Sequence, residues 1–414
     1  GTKVDCPSLY DVVTERDAEL ADALKADLDR TMQALGAIVA EAEAGTAYDP
    51  MIGANNPKGN AIVQAAIDAL IAKTRNIERA VAAVGLDHRH IYGQLEGMLA
   101  AGCACKGWWT DGEPYWIEGF VKRFPDVPRI ADIDDILGDP EIDLILLANV
   151  PADRADMAIR AMRHGKDVMS DKPGCTSLEQ LDAIKAAVAE TGRIWSIDFS
   201  ERFEVPAVTK AAELVAEGTI GRVVQTVGLG PHRLNRDTRP DWFFERGRYG
   251  GILCDIASHQ IDQFLFFTGS DDAEIVASSV GNFAYPDDPG LEDFGEILLR
   301  SDTAQGYIRV DWYTPDALPT WGDGRLTILG TEGYIELRKY VDVAGRPGTD
   351  HLYLVNGDRY EHIDCSDIPL TYFANLAHDV RNRTATAMTQ AHCFKVTELA
   401  LKAQKTAARV GHHG

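Results

Sequence analysis

Three short stretches of the chain hold residues able to move protons or carry charge at a reacting centre. Asp171-Lys172-Pro173 follows Asp167 to Ser170, which reads as a buried strand. A lysine at the carboxyl end of such a strand, with proline stiffening the turn, can protonate or orient a substrate oxygen. Further on, Gly250-Gly251-Ile252-Leu253-Cys254-Asp255-Ile256-Ala257-Ser258-His259 sets a carboxylate and an imidazole four residues apart. On one helix that spacing puts both on one face, about a turn from each other. Such a pair can take a hydroxyl proton as hydride leaves the same carbon. Taken singly, each stretch also has a plain structural reading: a surface turn for the first, a solvated or N-capping pair for the second.

The third stretch is Gly85-Leu86-Asp87-His88-Arg89-His90, between a short apolar strand and a helix starting at Ile91. Backbone N–H groups at such a junction suit a dinucleotide pyrophosphate. Of the G-x-G-x-x-G fingerprint only Gly85 stands; Asp87 takes the second place and His90 the third. A carboxylate there is unfavourable beside phosphate unless it points away or is paired, and His88 and Arg89 offer compensating charge. The second strand should end in a group for ribose hydroxyls. Thr110 stands at that end and Asp111 one residue later, so NAD and NADP both stay open.

The elements that must position these groups follow from periodicity. Residues 1–77 read as a helical hairpin, with one helix running to Ala44 and a second from Gly59 to Arg75 around the turn-forming Asn55-Asn56-Pro57. Residues 78–199 alternate strands with helices, which predicts a doubly wound parallel sheet of the Rossmann type. Its strands are expected at Ala80–Val84, Cys103–Trp109, Leu144–Asn149, Asp167–Ser170 and Ile194–Asp198, with helices at Ala152–His164 and Ser177–Thr191. Residues 200–414 form an α+β domain with a mostly antiparallel open sheet: strands at Arg222–Leu229, Glu274–Asn282, Phe294–Arg300, Gly306–Tyr313, Gly324–Leu329 and Tyr334–Arg338. A helix is expected from Asp255 to Phe267. The overall class is α/β. The loop holding His232, Arg236, Arg239, Trp242, Arg246 and Tyr249 suits either a polar pocket or a subunit contact.

Composition narrows the partners. The chain has 414 residues, 45% hydrophobic and 25% charged, with a formal net charge of -23. That charge argues against a nucleic-acid groove or an anionic membrane surface. The 7 cysteines are irregularly spaced and show no metal knuckle, so no metal is expected and a reducing compartment is the simplest reading. No apolar run reaches 18 residues. A cytoplasmic location is expected, or a periplasmic one if a leader has been trimmed.

The order of these motifs, from residue 78 to the end, resembles the glucose-fructose oxidoreductase, inositol dehydrogenase and rhizopine-catabolism (Gfo/Idh/MocA) family. Asp171-Lys172-Pro173 looks like that family's Glu-Lys-Pro motif. Gly250 and Gly251 followed by Asp255 and His259 match its glycine-rich stretch and Asp-x-x-x-His. Gly330-Thr331-Glu332-Gly333 is similar to its late turn. The resemblance implies an NAD- or NADP-dependent oxidoreductase acting on a sugar- or cyclitol-like secondary alcohol. It implies Lys172 and His259 as the catalytic pair, with Asp255 placing substrate. Cofactor contacts would come from Gly85, Asp87, His88, His90, Thr110, Asp111, Asn149, Pro151, Arg154, Asp171, Lys172 and Pro173. Arg202 and Trp242 would join Asp255 and His259 around the substrate. Two other readings stand beside it: an NAD-retaining lyase or glycosidase, and a non-catalytic ligand-binding relative.

Arg154 replaces a histidine common in the family, which puts the nicotinamide side in question. A homodimer or homotetramer is expected, because the open sheet needs its far face covered. The stretches Tyr48–Ile52 and Gly59–Leu70 resemble the last helices of an imelysin-like bundle, without the Gly-x-His-x-x-Glu motif of that group.

Overall fold

The computed structural model of the chain describes residues 80–411. The predicted N-terminal helical hairpin and Cys6 lie outside the described residues. Two sheets organise the rest, both within one compact unit, Asn76–Gly414.

The first sheet is wholly parallel, in the order β2-β1-β3-β4-β5. Its strands are β1 (Ala80–Leu86), β2 (Ala104–Trp109), β3 (Ile142–Ala148), β4 (Asp167–Asp171) and β5 (Trp195–Asp198). β1 and β4 are buried along their whole length and β3 almost so. This is why β1 and β3 read as near-continuous apolar runs: helices cover both faces. The crossover helices are α1 (Ile91–Ala100), α2 (Ile117–Arg123), α3 (Ile133–Gly138), α4 (Arg154–Arg163) and α5 (Leu178–Thr191). Ser177 caps α5 by accepting from the Gln180 N–H, and Gly192 ends it in the left-handed region. The order reverses between β1 and β3, which makes the carboxyl ends of those strands the ligand crevice.

Short helices α6 (Ser200–Phe203) and α7 (Pro206–Ala216) lead to the second sheet. Its strands are β6 (Val223–Pro231), β7 (Glu274–Asn282), β8 (Phe294–Arg300), β9 (Gln305–Asp311), β10 (Arg325–Gly330), β11 (Gly333–Arg338), β12 (His351–Asn356), β13 (Tyr360–Asp364) and β14 (Ala408–Gly411). They run in the order β13-β12-β11-β10-β6-β9-β8-β7-β14. Pairing is antiparallel except between β6 and β9 and between β7 and β14. Strands β12, β13 and β14 were not expected. β13 and β14 are short, largely exposed and charged, so they lack the apolar alternation that marks a strand in sequence.

The loop between β6 and β7 carries α8 (Arg246–Tyr249), α9 (Ile252–Asp255) and α10 (Ala257–Thr268). The helix expected from Asp255 to Phe267 is therefore broken. Asp255 ends α9, Ile256 stays in the right-handed region but with φ stretched to -106 at ψ -50, and His259 lies in the first turn of α10. The second helix packs hard on the sheet. A Cβ on Gly228 of β6 would lie 2.7 Å from Gln260 Cγ, and one on Gly306 of β9 would lie 2.7 Å from Phe264. Helix and strand approach so closely because these positions carry no side chain.

The tail folds back on the first sheet. Helices α11 (Tyr372–Asn382) and α12 (Gln390–Thr406) follow β13. The Gln390 amide bonds both the N–H and the carbonyl of Trp195, and Phe394 stacks on the Trp195 ring. One apolar core runs from β1 through α10 to α12. A smaller one lies between α7 and strands β10 to β12. The cleft is thus clamped by packing on both sides.

Candidate active site

Lys172 leaves the carboxyl end of β4 and Asp255 ends α9, 83 residues later. Their side chains meet: Lys172 Nζ donates to Asp255 Oδ1 at 2.7 Å, and both are buried. His259 lies one turn further, 2% exposed, with Nδ1 buried and unpartnered. The three residues singled out for catalysis are therefore all buried where the two sheets meet. The Lys172–Pro173 peptide is cis.

Asp171 is the hub behind Lys172. It accepts from His90 Nδ1 at 2.8 Å, from the Arg154 guanidinium at 2.9 Å and from the Lys172 N–H at 2.8 Å, and His88 Nδ1 lies 3.2 Å away. Burial alone would raise its pKa, but His90, Arg154 and His88 hold the carboxyl well below the usual range. Ligand atoms of His88, His90 and Asp171 all lie within 4.8 Å of one another, near enough for a cation. Arg154 already supplies positive charge to that carboxylate, so the group reads as a brace tying the 87–90 loop to the lysine.

Arg154 is fully buried. It donates to the carbonyls of Asn149, Asp171, Lys172 and Pro173 as well as to Asp171. It shapes the turn that holds Lys172 and has no surface for a cofactor. Gly85 has φ +75, and any Cβ there would overlap Asn149. The glycine is required by the close passage of β1 and the end of β3. Thr110 is likewise committed: its hydroxyl accepts from the Leu86 N–H at 3.0 Å. Asp111 beyond it is exposed. Asp87, half-buried near Asp111 and Asp153, is pushed up to about 6 by burial.

On the substrate side two expectations part. Arg202 forms a bidentate pair with Asp262, at 2.6 and 2.7 Å, and its guanidinium lies over Phe203 and Phe266. It is locked into packing away from Lys172. Its neighbour Glu201 is the one that bears on the site. Glu201 accepts from Lys339 Nζ at 2.7 Å and from Gln260 at 2.9 Å, while Oε1 is buried without a partner. Trp242 is half-buried and packs on Phe243, and among the described residues its indole has no hydrogen-bond partner.

Glu201, Lys339 and His232 were missed as site residues or, for His232, left among several loop candidates. No local spacing reveals them, since Glu201 and Lys339 are 138 residues apart. Burial would raise Glu201, but Lys339, His259 and His232 bring it down to about 2. Burial depresses His259 to about 3 and His232 to about 4, each partly opposed by Glu201. Both imidazoles are neutral at pH 7.

Buried neutral histidines make the fold acid-sensitive. An unfolded imidazole titrates near 6.5, so below that pH the unfolded chain binds protons the folded one refuses, and stability falls as pH falls. Between pH 7 and 5 His259 and His232 should each cost on the order of 2 kcal/mol. Denaturant unfolding should show this decline, to which His88, also pushed well below the usual range by burial, adds its share, and His259→Phe should remove about 2 kcal/mol of it. An unchanged decline in that variant would refute the assignment.

Comparison with known proteins agrees with this geometry. Residues 118–220 match the oxidoreductase family with NAD-binding Rossmann fold, residues 208–336 match the GFO/IDH/MocA C-terminal domain, and residues 3–77 match imelysin. The chain is 30% identical to scyllo-inositol 2-dehydrogenase (NAD(+)) of Bacillus subtilis over 49% of its own length and 56% of the relative's. It is 28% identical to 1,5-anhydro-D-fructose reductase of Ensifer adhaerens over 49% and 59%. The chain thus spans about half the length of the curated relatives it matches. A crystal structure from Erwinia carotovora atroseptica, described as an oxidoreductase, superposes with a TM-score of 0.78 at 46% identity, covering 80% of this chain and all of that one. Levoglucosan dehydrogenase in complex with NADH and levoglucosan shares the fold, with a TM-score of 0.63 at 19% identity over 79% of this chain and 95% of that one. The chain belongs to the Gfo/Idh/MocA oxidoreductase family.

Proposed function

We propose that the protein transfers hydride between a nicotinamide dinucleotide and a secondary alcohol of a sugar, cyclitol or similar polyol. The observation that carries this reading is the 2.7 Å contact of Lys172 with Asp255 beside the buried, neutral His259. The curated relatives named above are a dehydrogenase and a reductase of such compounds.

The crevice fits the cofactor. Asn149 Oδ1 is buried and unpartnered beside Gly85, at the point where strand order reverses. The 87–90 loop, Asp111, Asn149, Pro151 and the 171–173 turn would hold the dinucleotide. When bound it accepts or gives the hydride at its nicotinamide ring. In the oxidation direction the alcohol carbon loses hydride, its hydroxyl proton passes to His259, and a ketone remains. A neutral imidazole is the form able to accept that proton. The imidazolium so formed lies in the field of Glu201, which opposes the burial cost. Lys172 orients the reacting oxygen, and Asp255 keeps the ammonium aimed.

Arg154 was the residue that put the nicotinamide side in question, and it is a buried brace instead. The eroded glycine loop has its own bracing through Asp171. Both features that favoured a non-catalytic relative thereby lose their force. His259→Ala should lower turnover by on the order of 10²-fold with cofactor binding retained, and Lys172→Ala should lower it by a similar factor. Unchanged turnover would remove the residue from the mechanism.

We further infer NAD rather than NADP. Asp111 is exposed beyond β2, with Asp87 and Asp153 close by, and Arg248 is spent on Asp153. A 2′-phosphate would meet mostly carboxylates, whereas ribose hydroxyls can donate to them. Calorimetry should find NAD bound at least tenfold more tightly, with the margin narrowed by Asp111→Ser. Equal affinities would overturn this choice.

The assembly follows from the second sheet. Its inner face lies under α7 and α10, while Leu298, Leu329 and Tyr334 on the other face are 37 to 40% exposed. Leu329 pairs directly with Tyr334, and Leu298 with Tyr307, which in turn pairs with Val227. These exposed apolar side chains, set among polar neighbours such as Gln225 and Thr327, suit contact with a second copy. Light scattering should report a dimer or tetramer, and Leu298→Lys with Leu329→Glu should yield a smaller species. A wild-type monomer at micromolar concentration would contradict it.

A further inference from the structure

Most cations around the cleft are already neutralised. Lys172 is held by Asp255, Lys339 by Glu201, Arg154 by Asp171 and Arg202 by Asp262. Arg239 differs. It follows the turn Arg236–Thr238 and precedes Pro240, in the loop after β6. Its Nε donates to the Leu234 carbonyl at 2.8 Å. The guanidinium carbon lies 4.5 Å from the centre of the Phe243 ring and 5.0 Å from that of Trp312. Those two rings are buried and meet edge to face at 5.2 Å. The planar group is thus fixed on two aromatic faces and one carbonyl. Among the described residues neither of its terminal nitrogens has a hydrogen-bond or ion-pair partner.

Asp255 of the catalytic group and Arg89 of the dinucleotide loop lie within electrostatic range of that guanidinium. Asp255 is already committed to Lys172, and Arg89 is exposed to solvent. Burial lowers Arg239 to about 10, so the charge persists at neutral pH. Buried polar atoms without partners continue along the same wall. They are Trp312 Nε1 and Thr314 Oγ1, beside His232, whose ring lies 5.3 Å from that of Trp312. A pre-positioned guanidinium with unspent donors is the group best suited to a planar oxyanion, gripped through two parallel hydrogen bonds.

We propose that Arg239 anchors a carboxylate carried by the substrate, so that this site takes hydroxy acids of the sugar-acid class in preference to neutral sugars. The inference rests on the reading that Lys172, Asp255 and His259 face the substrate. A carboxylate is favoured over a phosphate because a single stacked, otherwise unpaired guanidinium matches one negative charge. Trp312 and Thr314 would meet hydroxyls of the same molecule.

The test uses the full chain loaded with NADH, titrated calorimetrically with matched compounds: D-glucuronate and D-glucose, D-galacturonate and D-galactose, D-gluconate and D-glucitol, with D-glucose 6-phosphate as the phosphate arm. At least one acid should bind roughly tenfold or more tightly than its neutral partner. Arg239→Gln should erase that margin and Arg239→Lys should keep part of it, with NADH affinity unchanged in both. Binding confined to neutral compounds, binding of none of the acids, a stronger response to the phosphate, or a margin that survives Arg239→Gln would overturn the proposal. Loss of NADH binding in both variants would assign Arg239 to the cofactor instead and overturn it equally. Failure of the underlying reading is distinguishable, because then the wild-type protein does not bind NADH, or His259→Ala keeps full turnover.

Discussion

The structure depends on one buried ion pair that joins two independently built sheets. Lys172 comes from a parallel strand end and Asp255 from the short helix α9 over the second sheet. Burying both charges is costly, and the attraction between them roughly offsets that cost without adding much net stability. What the pair supplies is position. An ammonium with one carboxylate at 2.7 Å keeps its remaining donors free, and the geometry holds only while both sheets keep their relative placement. Helices α11 and α12 maintain that placement, since they leave the second sheet and pack back onto β5 and α1.

Around that pair, charge is arranged in matched sets. Asp171 gathers Arg154 and two imidazoles, Glu201 gathers Lys339 and Gln260, and Asp262 gathers Arg202 and His392. Each carboxylate is buried and each has its cation, as an interior of low polarisability requires. The consequence for chemistry is a pocket where His259 stays neutral although a carboxylate lies nearby. Burial lowers its proton affinity more than Glu201 raises it. An imidazole of ordinary basicity is also mostly neutral near pH 7 but is a stronger base, so the field of Glu201, under which the imidazolium would form, matters for proton acceptance at His259.

Much of this was legible in the sequence, for identifiable reasons. The central strands β1 and β3 are buried almost throughout, so their apolar runs were visible without knowledge of their neighbours. Lys172, Asp255 and His259 were visible because each sits beside a local landmark: a strand end with proline, and paired glycines before a helix. The break at Ile256 was not visible, because it arises where α9 gives way to a helix pressed onto β6, and Gly228 marks that contact only once the pairing is known. Arg202 and Glu201 show the limit at its sharpest. Adjacent in sequence and equally polar, one is turned to Asp262 and the other to Lys339, and only long-range packing decides which faces the histidines.

The 85–90 loop is held in place by a device other than the glycines of the fingerprint. In the fingerprint, glycines let the backbone approach the pyrophosphate and pack helix against strand. Here one glycine stands where β1 passes the end of β3, and the following residues are large and polar. Their placement is secured from outside the loop, by His90 and His88 against Asp171, and Arg154 in turn bonds that carboxylate and four carbonyls around it. The same carboxylate accepts from the Lys172 N–H. The loop and Lys172 are therefore held by one residue, through contacts each under 3.3 Å. A glycine-rich loop, free of side chains, would have no such handle on the lysine.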